Sequence, residues 1–372
     1  MKLLMVSGDR AVLEGKRGAF FSTLQELRKH FERIDILCPH SAVHASSLQL
    51  FVKDDGGEVW FHPNPRGLWS QPWWILSRGK SLVADVRPDV MTVHEYPPFM
   101  NGLGAWLLHR ATRIPYAIEI HHIVGFPVAA RISEWVGRFL SRGILRFDCQ
   151  PAGAVRAVTA SAADHLSTFG VPREKIRVIP SFYLDHAALH PDPTIAKEFD
   201  LVVCGRLVPN KGLEALLLML PSLPAVRLLV LGDGPIRPTL ERLVQSRGLS
   251  GRVVFRGWVA QSEDLYRLMQ SAKVFVMNSR SEGGPRVALE AMACGMPVIS
   301  TKVGAMPEVI ESGRNGILVG MDSRELSSAI SHLLSDEALR QRMGAQAQKI
   351  LDRFERTTGI AAYADFLSSL AS

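Results

Sequence analysis

The chain has 372 residues, of which 47% are hydrophobic and 21% are charged. This balance is typical of a folded protein with substantial cores and excludes a disordered or low-complexity chain. The length is about twice that of one compact α/β domain, so we expect two domains. A net charge of +7 indicates acidic partners. The basic residues form no dense tract or nucleic-acid-binding module, and we expect no nucleic acid partner.

The four cysteines lack the spacing of a zinc site or a disulfide framework, which is typical of a reducing compartment. No segment approaches the ~18 unbroken apolar residues of a membrane-spanning helix. The N-terminal apolar run is too short for a signal peptide and predicts a buried first strand. We therefore expect a cytoplasmic protein that is either soluble or associated with the inner face of a membrane.

Short apolar, β-rich runs alternate with longer helical segments, a pattern that predicts parallel sheets covered by helices. In the first half the predicted strands are Lys2–Ser7, Ile34–Cys38, Val90–His94, Tyr116–His121 and Ala154–Thr159, and the predicted helices are Ala19–Phe31, Ser70–Asp85, Met100–Thr112 and Arg131–Phe147. In the second half the predicted strands are Asp200–Cys204, Arg227–Leu231, Val253–Arg256, Lys273–Met277, Pro297–Ser300 and Gly316–Leu318, and the predicted helices are Leu213–Leu220, Ile236–Arg247, Ser262–Ala272 and Val287–Ala293. The proline-containing segment Pro180–Lys197 between the two series is interpreted as a linker.

Ligands of such sheets bind beyond the carboxyl ends of the strands, so the loops after strands are the candidate sites. The first loop of the second half carries Gly205, Arg206 and Lys211 just before a predicted helix. Glycine lets the backbone approach a ligand, and two cations beside a helix N-terminus suit a diphosphate. An ordinary solvated loop with two basic residues is the alternative.

Two further strand ends contain glycine turns. Gly232 follows one strand, and Gly257 with Trp258 follows the next. Exposed backbone at the second of these turns is suited to hydrogen-bond the edge of a nucleobase. In isolation, a plain strand-to-helix turn explains each of them equally well.

The segment from Ser281 to Ile299 carries the most informative pattern. Its loop enters a predicted helix through glycines and a proline, so free backbone N–H groups there are expected to bind a phosphate. The residues of this anion site are Gly283, Gly284, Pro285, Arg286 and Val287. Glu282 and Glu290 flank it, and carboxylates beside an anion site are expected to bind hydroxyl groups, one of the transferred sugar and one of a ribose. The alternative for Glu290 is an i, i+4 ion pair with Arg286.

From Gly205 to Val319 the sequence resembles the C-terminal half of the family 4 retaining glycosyltransferases, also called glycosyl transferases group 1, which have the GT-B fold. The two glutamates separated by seven residues, Glu282 and Glu290, carry the resemblance together with the basic pair Arg206 and Lys211. The resemblance implies two Rossmann-like α/β domains that face each other across a cleft. Residues 1–185 would bind the acceptor, residues 186–353 would bind the nucleotide sugar, and a helix within 354–372 would cross back to the first domain.

The resemblance also implies roles for residues in the first half. Gly18, in the loop after the first strand, is expected to contact the donor, and His121 is expected to face the anomeric centre of the donor sugar. Together with His121, the residues expected to act in catalysis are Arg206, Lys211 and Glu282. The acceptor-side candidates are His94, Glu95 and His122.

The reaction that the resemblance implies is transfer of a hexosyl group, with retention, from a UDP- or GDP-sugar to a hydroxyl of a glycan or lipid-linked acceptor. Such a reaction belongs to the assembly of cell-surface polysaccharides or glycolipids. The chain contains no Asp-x-Asp triplet, so no metal or other cofactor is expected. The alternatives are a sugar-nucleotide epimerase of the same two-domain plan and a non-catalytic sugar-nucleotide-binding protein.

Tryptophans and basic residues occur together in two segments, Trp60–Lys80 and Arg131–Arg146. Aromatic rings beside cations suit the interface of an anionic membrane, which predicts peripheral membrane contact. The alternatives are that the tryptophans pack into one core and that the basic helix faces are simply solvated.

Overall fold

A computed structural model describes residues 1–44, 46–123, 125–129 and 132–371. The chain divides into two compact units. The first unit consists of Met1–Ile123, Gly137–Ser181 and Thr357–Ser372, and the second of Val124–Val136 and Phe182–Arg356. Arg131, one end of a predicted membrane-contact segment, lies outside the described residues.

The compact units and the predicted domains do not have the same bounds. The chain enters the second unit at Phe182, a few residues before the predicted boundary, because the Phe182 ring packs 4.9 Å from the ring of Phe354. The stretch around Pro127 also belongs to the second unit, where Pro127 forms a β-bridge with Ser281. Both differences result from contacts between residues distant in sequence, which no local pattern reports.

The first unit is built on a sheet whose described strands have the order β3-β4-β2-β1-β5-β6-β7-β8, in which β3 pairs antiparallel with β4 and the other neighbours run parallel. The strands are β1 (Lys2–Val6), β2 (Arg33–Cys38), β3 (Leu48–Phe51), β4 (Glu58–Pro63), β5 (Val90–Glu95), β6 (Tyr116–Ile120), β7 (Ala154–Ala157) and β8 (Ile176–Val178). The helices that accompany it are α1 (Ala19–Leu27), α2 (Gln71–Asp85), α3 (Met100–Thr112), α4 (Ile132–Cys149) and α5 (Ala160–Thr168).

The second unit is built on a fully parallel sheet whose described strands have the order β11-β10-β9-β12-β13-β14. The strands are β9 (Phe199–Cys204), β10 (Leu228–Leu231), β11 (Val253–Gly257), β12 (Ala272–Met277), β13 (Val298–Thr301) and β14 (Ile317–Val319). The helices are α6 (Leu213–Met219), α7 (Arg237–Ser246), α8 (Ser262–Gln270), α9 (Arg286–Ala293), α10 (Met306–Val309), α11 (Ser323–Ser335), α12 (Glu337–Ala347) and α13 (Ile350–Arg353).

The C-terminal helix α14 (Arg356–Ser368) belongs to the first unit from Thr357 onward, as the resemblance implied. It buries Ile360, Tyr363 and Leu367 completely or nearly so. The Tyr363 hydroxyl donates a hydrogen bond to the carboxylate of Glu119 in β6, which ties the end of the chain to the centre of the first sheet. Two α/β units with parallel sheets and this returning helix confirm the predicted fold class.

The predicted strands and helices are present with ends shifted by a few residues, but β3, β4, β8, α5 and α10 to α13 were not predicted. Trp60 lies in β4, where its indole Nε1 donates to Glu58 at 2.6 Å and the Arg33 guanidinium lies 5.4 Å from the ring. The polar and aromatic groups of Trp60 are thus engaged within the sheet, and Trp60 itself is half-buried. Among the described residues, no helix combines the length and apolar composition needed to cross a bilayer.

A pair of buried carboxyl groups joins α4 to the end of β5. Glu95 is 4% exposed and Asp148 is 1% exposed, and one oxygen of each occupies the space that a Cβ on Gly102 of α3 would need. Burial, then the charge of Asp148, raises the pKa of Glu95 well above its ordinary value. The expectation that Glu95 is an open acceptor-side carboxylate therefore differs from the structure, in which the side chain is enclosed by α3 and α4.

This pair predicts a pH-dependent stability. Burial raises the pKa of Asp148 from 3.8 to about 7 in the folded protein. The folded state therefore binds more protons than the unfolded state, and stability is lost as pH rises through this interval. We expect Asp148→Asn to leave the free energy of unfolding unchanged near pH 4 and to raise it near pH 8, by up to about 4 kcal/mol.

Chemical denaturation at the two pH values measures this difference. Asp164→Asn, a change at an exposed carboxylate of the first unit, is the matched control and should show no such pH dependence. An Asp148→Asn variant that is equally destabilised at both pH values would contradict the prediction.

Candidate functional site

A cavity of about 350 Å³ opens in the second unit at the carboxyl ends of β9 and β12. The strand order of this sheet reverses between these two strands, and ligands of open parallel sheets bind at such switch points. The predicted site residues that line the cavity are Gly205, Arg206, Lys211, Trp258, Glu282, Gly284, Pro285, Arg286 and Val287. The fold therefore brings together residues that are up to 82 positions apart in the sequence, from Gly205 to Val287.

The loop after β9 is held in place by the loop after β12. Gly212 has a positive φ of 65° and no room for a side chain, because a Cβ would overlap the backbone carbonyl of Asn278. The Asn278 amide donates to the Gly212 carbonyl at 3.0 Å, and the Asn210 amide donates to the Ser281 carbonyl at 3.2 Å. These contacts fix the backbone on both sides of Lys211.

Lys211 and Glu282 form an ion pair across the cavity, with Lys211 Nζ 2.5 Å from Glu282 Oε1. Arg206 also lines the cavity, is exposed, and makes no ion pair with any described residue. A diphosphate in the cavity would therefore contact two cations of different kinds. The Arg206 guanidinium has no ion-pair partner among the described residues, whereas the Lys211 ammonium is already paired with Glu282. Because Glu282 is 11% exposed, it also offers oxygen acceptors at the cavity for hydroxyl groups.

Glu290 lies behind the cavity wall and is 5% exposed. Its Oε1 accepts hydrogen bonds from Arg286 Nε at 2.9 Å and from the Tyr266 hydroxyl at 3.3 Å. Burial raises the pKa of Glu290, while the neighbouring Arg286 opposes that rise. The i, i+4 pair with Arg286 that stood as the alternative is thus present, and both hydrogen bonds use the same oxygen, Oε1.

The loop before α9 is shaped by close backbone approaches. A Cβ on Gly284 would overlap the Phe182 ring, and the Gly283 carbonyl accepts a hydrogen bond from Ala305 N at 3.1 Å. Pro285 immediately precedes α9, whose first turn lines the cavity. Two N–H groups of this turn, those of Arg286 and Ala288, already donate to the backbone carbonyls of Gly284 and Pro285. The positive end of a helix at a cavity favours an anion there.

Gly232 and Gly257 have a different place from the one predicted. Their backbones pair with each other, with Gly232 N 2.7 Å from the Gly257 carbonyl oxygen. A Cβ on Gly232 would overlap the carbonyl of Gly205, so glycine is required there for close packing of neighbouring strand ends. Among the described residues that line the cavity, Trp258 is present but these two glycines are not.

The first unit gathers polar residues at its own switch point, between β1 and β5. Ser7 Oγ, just after β1, lies 3.1 Å from His94 Nδ1, and the rings of His94 and His121 are 5.1 Å apart. His121 Nε2 is 3.2 Å from Glu119 Oε2. Partial enclosure of the ring, then the charges of His94 and Arg156, lowers the pKa of His121 against the opposing effect of Glu119, so this ring is neutral at neutral pH.

Two further candidates of the first unit are His122 and Gly18. His122 is exposed, and Gly18 caps the start of α1 with no described atom within 4 Å of an ideal Cβ, so sterics do not require a glycine there. His94, Glu119 and His121 are close enough to form a metal site, with their ligand atoms within 4.8 Å of one another. The set does not fit a cation well, because the Arg156 guanidinium already lies 2.8 Å from Glu119 Oε2.

Sequence reasoning missed several polar groups of both clusters. Tyr266 contacts Glu290 from an amphipathic helix, where an aromatic residue gives no separate signal. Ser279 and Asn278 line the cavity directly after β12, and their position at a strand end was the available signal. Glu119 was also detectable, since it is a single carboxylate within the apolar strand Tyr116–Ile120.

Two family profiles match most of the chain. The family described as glycosyl transferases group 1 matches residues 187–350, and a glycosyl transferase 4-like domain matches residues 19–181. The chain is 34% identical over 220 residues to the lipopolysaccharide core biosynthesis glycosyltransferase LpsE of Rhizobium meliloti (strain 1021). That match covers 57% of this chain and 63% of LpsE, so the chain spans less than two thirds of this relative's length.

Solved structures share the fold over the whole chain. Sucrose-phosphate synthase from Thermosynechococcus elongatus has a TM-score of 0.81 at 20% identity, covering 100% of this chain and 99% of that one. Anabaena Alr3699/HepE in complex with UDP and glucose has a TM-score of 0.75 at 22% identity, covering 100% of both chains. Together, the two profiles, the two parallel-sheet units and the Glu282–Glu290 spacing establish that this chain belongs to the family 4 (group 1) glycosyltransferases with the GT-B fold.

Proposed function

We propose that the protein transfers a sugar from a nucleotide diphosphate sugar, UDP- or GDP-linked, to a hydroxyl group of an acceptor. The observation that carries this proposal is the cavity of the second unit, in which Arg206, Lys211 and the N-terminus of α9 converge with Glu282. Three sources of positive potential suit a diphosphate, and a carboxylate beside them suits sugar hydroxyls. The complex of HepE with UDP and glucose supports a nucleotide in a fold of this kind.

The proposed chemistry needs no metal. Arg206, Lys211 and the amides near Gly284 neutralise the departing diphosphate, which is the task that a divalent cation performs elsewhere. The bond between the sugar carbon and the phosphate oxygen breaks while the bond to the acceptor oxygen forms on the same face. The acceptor proton passes to the departing phosphate oxygen. Because the new bond forms on the face that the old bond leaves, the configuration is retained without a protein nucleophile.

The acceptor is proposed to be a glycan or lipid-linked saccharide of the cell surface, held by the first unit. The name of LpsE, a lipopolysaccharide core glycosyltransferase, supports this class of acceptor. An epimerase would turn over its substrate without any acceptor, and a binding protein would not turn it over at all. Neither alternative is favoured, since the matching profiles and LpsE are described as glycosyltransferases.

Nucleotide binding and the role of Lys211 can be tested separately. We expect the protein to be stabilised by one nucleotide among UDP, GDP and ADP in the presence of EDTA, by about 2.7 kcal/mol at 100 times the dissociation constant.

With the matching nucleotide sugar, Lys211→Ala should lower kcat by about 100- to 1000-fold, because one preorganised contact to the leaving group is lost. Lys211→Arg keeps the charge and should retain measurable turnover.

Arg314→Ala is the control for this series, because Arg314 is an exposed residue of the second unit that pairs with Glu311. Equal activity of Lys211→Ala and Lys211→Arg would contradict the assigned role. Loss of all activity in EDTA, restored by magnesium, would contradict metal independence. The anomeric configuration of the new glycosidic bond, read by NMR and compared with that of the donor, tests retention.

We also propose that the protein works at the inner face of a membrane, through α4. Leu140 and Ile144 are 56% and 37% exposed, on a helix that also exposes Phe139 and Phe147. The Phe147 ring lies 5.4 Å from that of Trp106 on α3, so the apolar surface continues onto the neighbouring helix. An apolar helix face of this kind suits the interface of a bilayer.

Basic residues accompany this face. Arg138, Arg142 and Arg146 recur at intervals of four residues and therefore form a row along one edge of α4. Trp69, just before α2, and Trp73, on α2, are 80% and 65% exposed. The Trp60–Lys80 segment thus contributes exposed rings at the start of α2, and an apolar face with an arginine row is complementary to anionic lipid.

Sedimentation with vesicles tests this contact. The protein should pellet with vesicles of phosphatidylcholine and phosphatidylglycerol and much less with phosphatidylcholine alone. Arg142→Glu/Arg146→Glu should weaken the binding at least about tenfold, since each basic residue near the surface adds ~1 kcal/mol. Leu140→Ser/Ile144→Ser should weaken it as well, whereas Arg342→Glu on α12 should not. Equal pelleting with both vesicle types would refute the proposal.

A further inference from the structure

Glu119 is a carboxylate that the proposed reaction leaves without a role. It lies in β6, its side chain is fully buried, and five side chains contact it. These partners are Thr92, His94, His121, Arg156 and Tyr363. A charge in the middle of a parallel sheet is costly unless it is paired, so this cluster needs an explanation.

The register of the sheet places three titratable residues in one row. His94 of β5 is paired with Glu119 of β6, and Glu119 is paired with Arg156 of β7. His121 follows Glu119 by two residues and therefore lies on the same face of the sheet. The row is thus a property of the strand register and not of a flexible loop.

The two oxygens of Glu119 are both occupied. Oε2 accepts from Arg156 Nη1 at 2.8 Å and lies 3.2 Å from His121 Nε2. Oε1 accepts from the hydroxyls of Thr92 and Tyr363 and lies 3.6 Å from His94 Nε2. Burial disfavours the charged form, but the charges of His94 and Arg156 with the hydrogen bonds from the histidines hold the pKa of Glu119 well below its ordinary value.

An ionised carboxylate accepts hydrogen bonds and cannot donate them. The Nε2 atom of His121 must therefore carry a proton to bond to Glu119. In a neutral ring this leaves Nδ1 unprotonated, with a lone pair available as an acceptor. Which ring nitrogen carries the proton is fixed by the buried partner before any substrate binds.

We propose that Glu119 is a positioning residue that holds His121 in the Nε2–H tautomer, so that Nδ1 is presented as a hydrogen-bond acceptor. The Arg156 guanidinium, 2.8 Å from Oε2, keeps the carboxylate ionised and holds the oxygen that faces His121. The consequence for turnover rests on the proposed transferase function, whereas the tautomer itself does not.

Direct observation of the ring nitrogens tests the proposal. Long-range 1H–15N correlation spectra of the 15N-histidine-labelled protein, without donor or acceptor, report the tautomer of each neutral histidine. The His121 signal is assigned by its loss in His121→Gln. We expect the Nε2–H tautomer in the wild type.

The informative variant is Glu119→Gln/Arg156→Met. It removes both charges together, so no uncompensated charge remains buried and the protein is expected to fold. His121 should then populate the Nδ1–H tautomer as well, and kcat should fall by about 10- to 100-fold with the donor dissociation constant changed less than threefold. The single variant Glu119→Gln is informative wherever circular dichroism shows that it is folded.

Tyr363→Phe is the matched control. It removes one hydrogen bond to Oε1 but leaves the carboxylate and the ring above Arg156, whose guanidinium lies 3.8 Å from the ring centre. It should lower the melting temperature without changing the tautomer or kcat.

An unchanged His121 tautomer in the folded double variant would overturn the proposal, as would a tautomer change of the same size in Tyr363→Phe. A wild-type protein with the expected tautomer but no transferase activity would instead count against the proposed function alone.

Discussion

The structure depends on one property of parallel sheets: all strands of a sheet end at the same edge. In each unit the strand order reverses between two neighbouring strands, β1 and β5 in the first and β9 and β12 in the second. The connections leave in opposite directions at these points, so the loops above them diverge and leave an opening. The cavity of the second unit and the histidine cluster of the first unit both lie at such a point. The chemistry of each unit is therefore positioned by its strand order.

Burial determines how the charged residues at these edges behave. Glu290 and Glu119 are both removed from water, but their surroundings differ. Glu290 has one guanidinium and one hydroxyl, and its pKa is raised, whereas Glu119 has a guanidinium, two histidines and two hydroxyls, and its pKa is lowered. Glu282 stays near the surface with Lys211. Packing alone thus gives three glutamates different properties. Glu290 is part of a buried ion pair, Glu119 is a fixed hydrogen-bond acceptor, and Glu282 is accessible to a ligand.

The two tryptophan-containing segments show how exposure separates residues that look alike in sequence. Trp60 in β4 donates a hydrogen bond to Glu58 and lies under the Arg33 guanidinium. Trp69, before α2, and Trp73, on α2, are exposed to solvent. The apolar side chains of α4 are exposed even though this helix also buries Leu145 and Cys149. The apolar side chains of α4 thus extend around more of the helix than its packing contacts cover. The uncovered part is an exposed apolar surface, which is a common feature of interaction sites.

The sequence by itself determined the alternation of strands and helices, the second-unit loops and the family, because these depend on local periodicity and on residues spaced closely along the chain. Glu282, Glu290, Arg206 and Lys211 were identified in this way. The tertiary structure alone decided that Tyr266 contacts Glu290, that Glu95 is enclosed beside Asp148, and that residues near Pro127 join the second unit. It also decided the row of His94, Glu119 and Arg156, since strand register follows from packing between distant segments. Local pattern specifies which residues can act, and long-range packing specifies which of them meet.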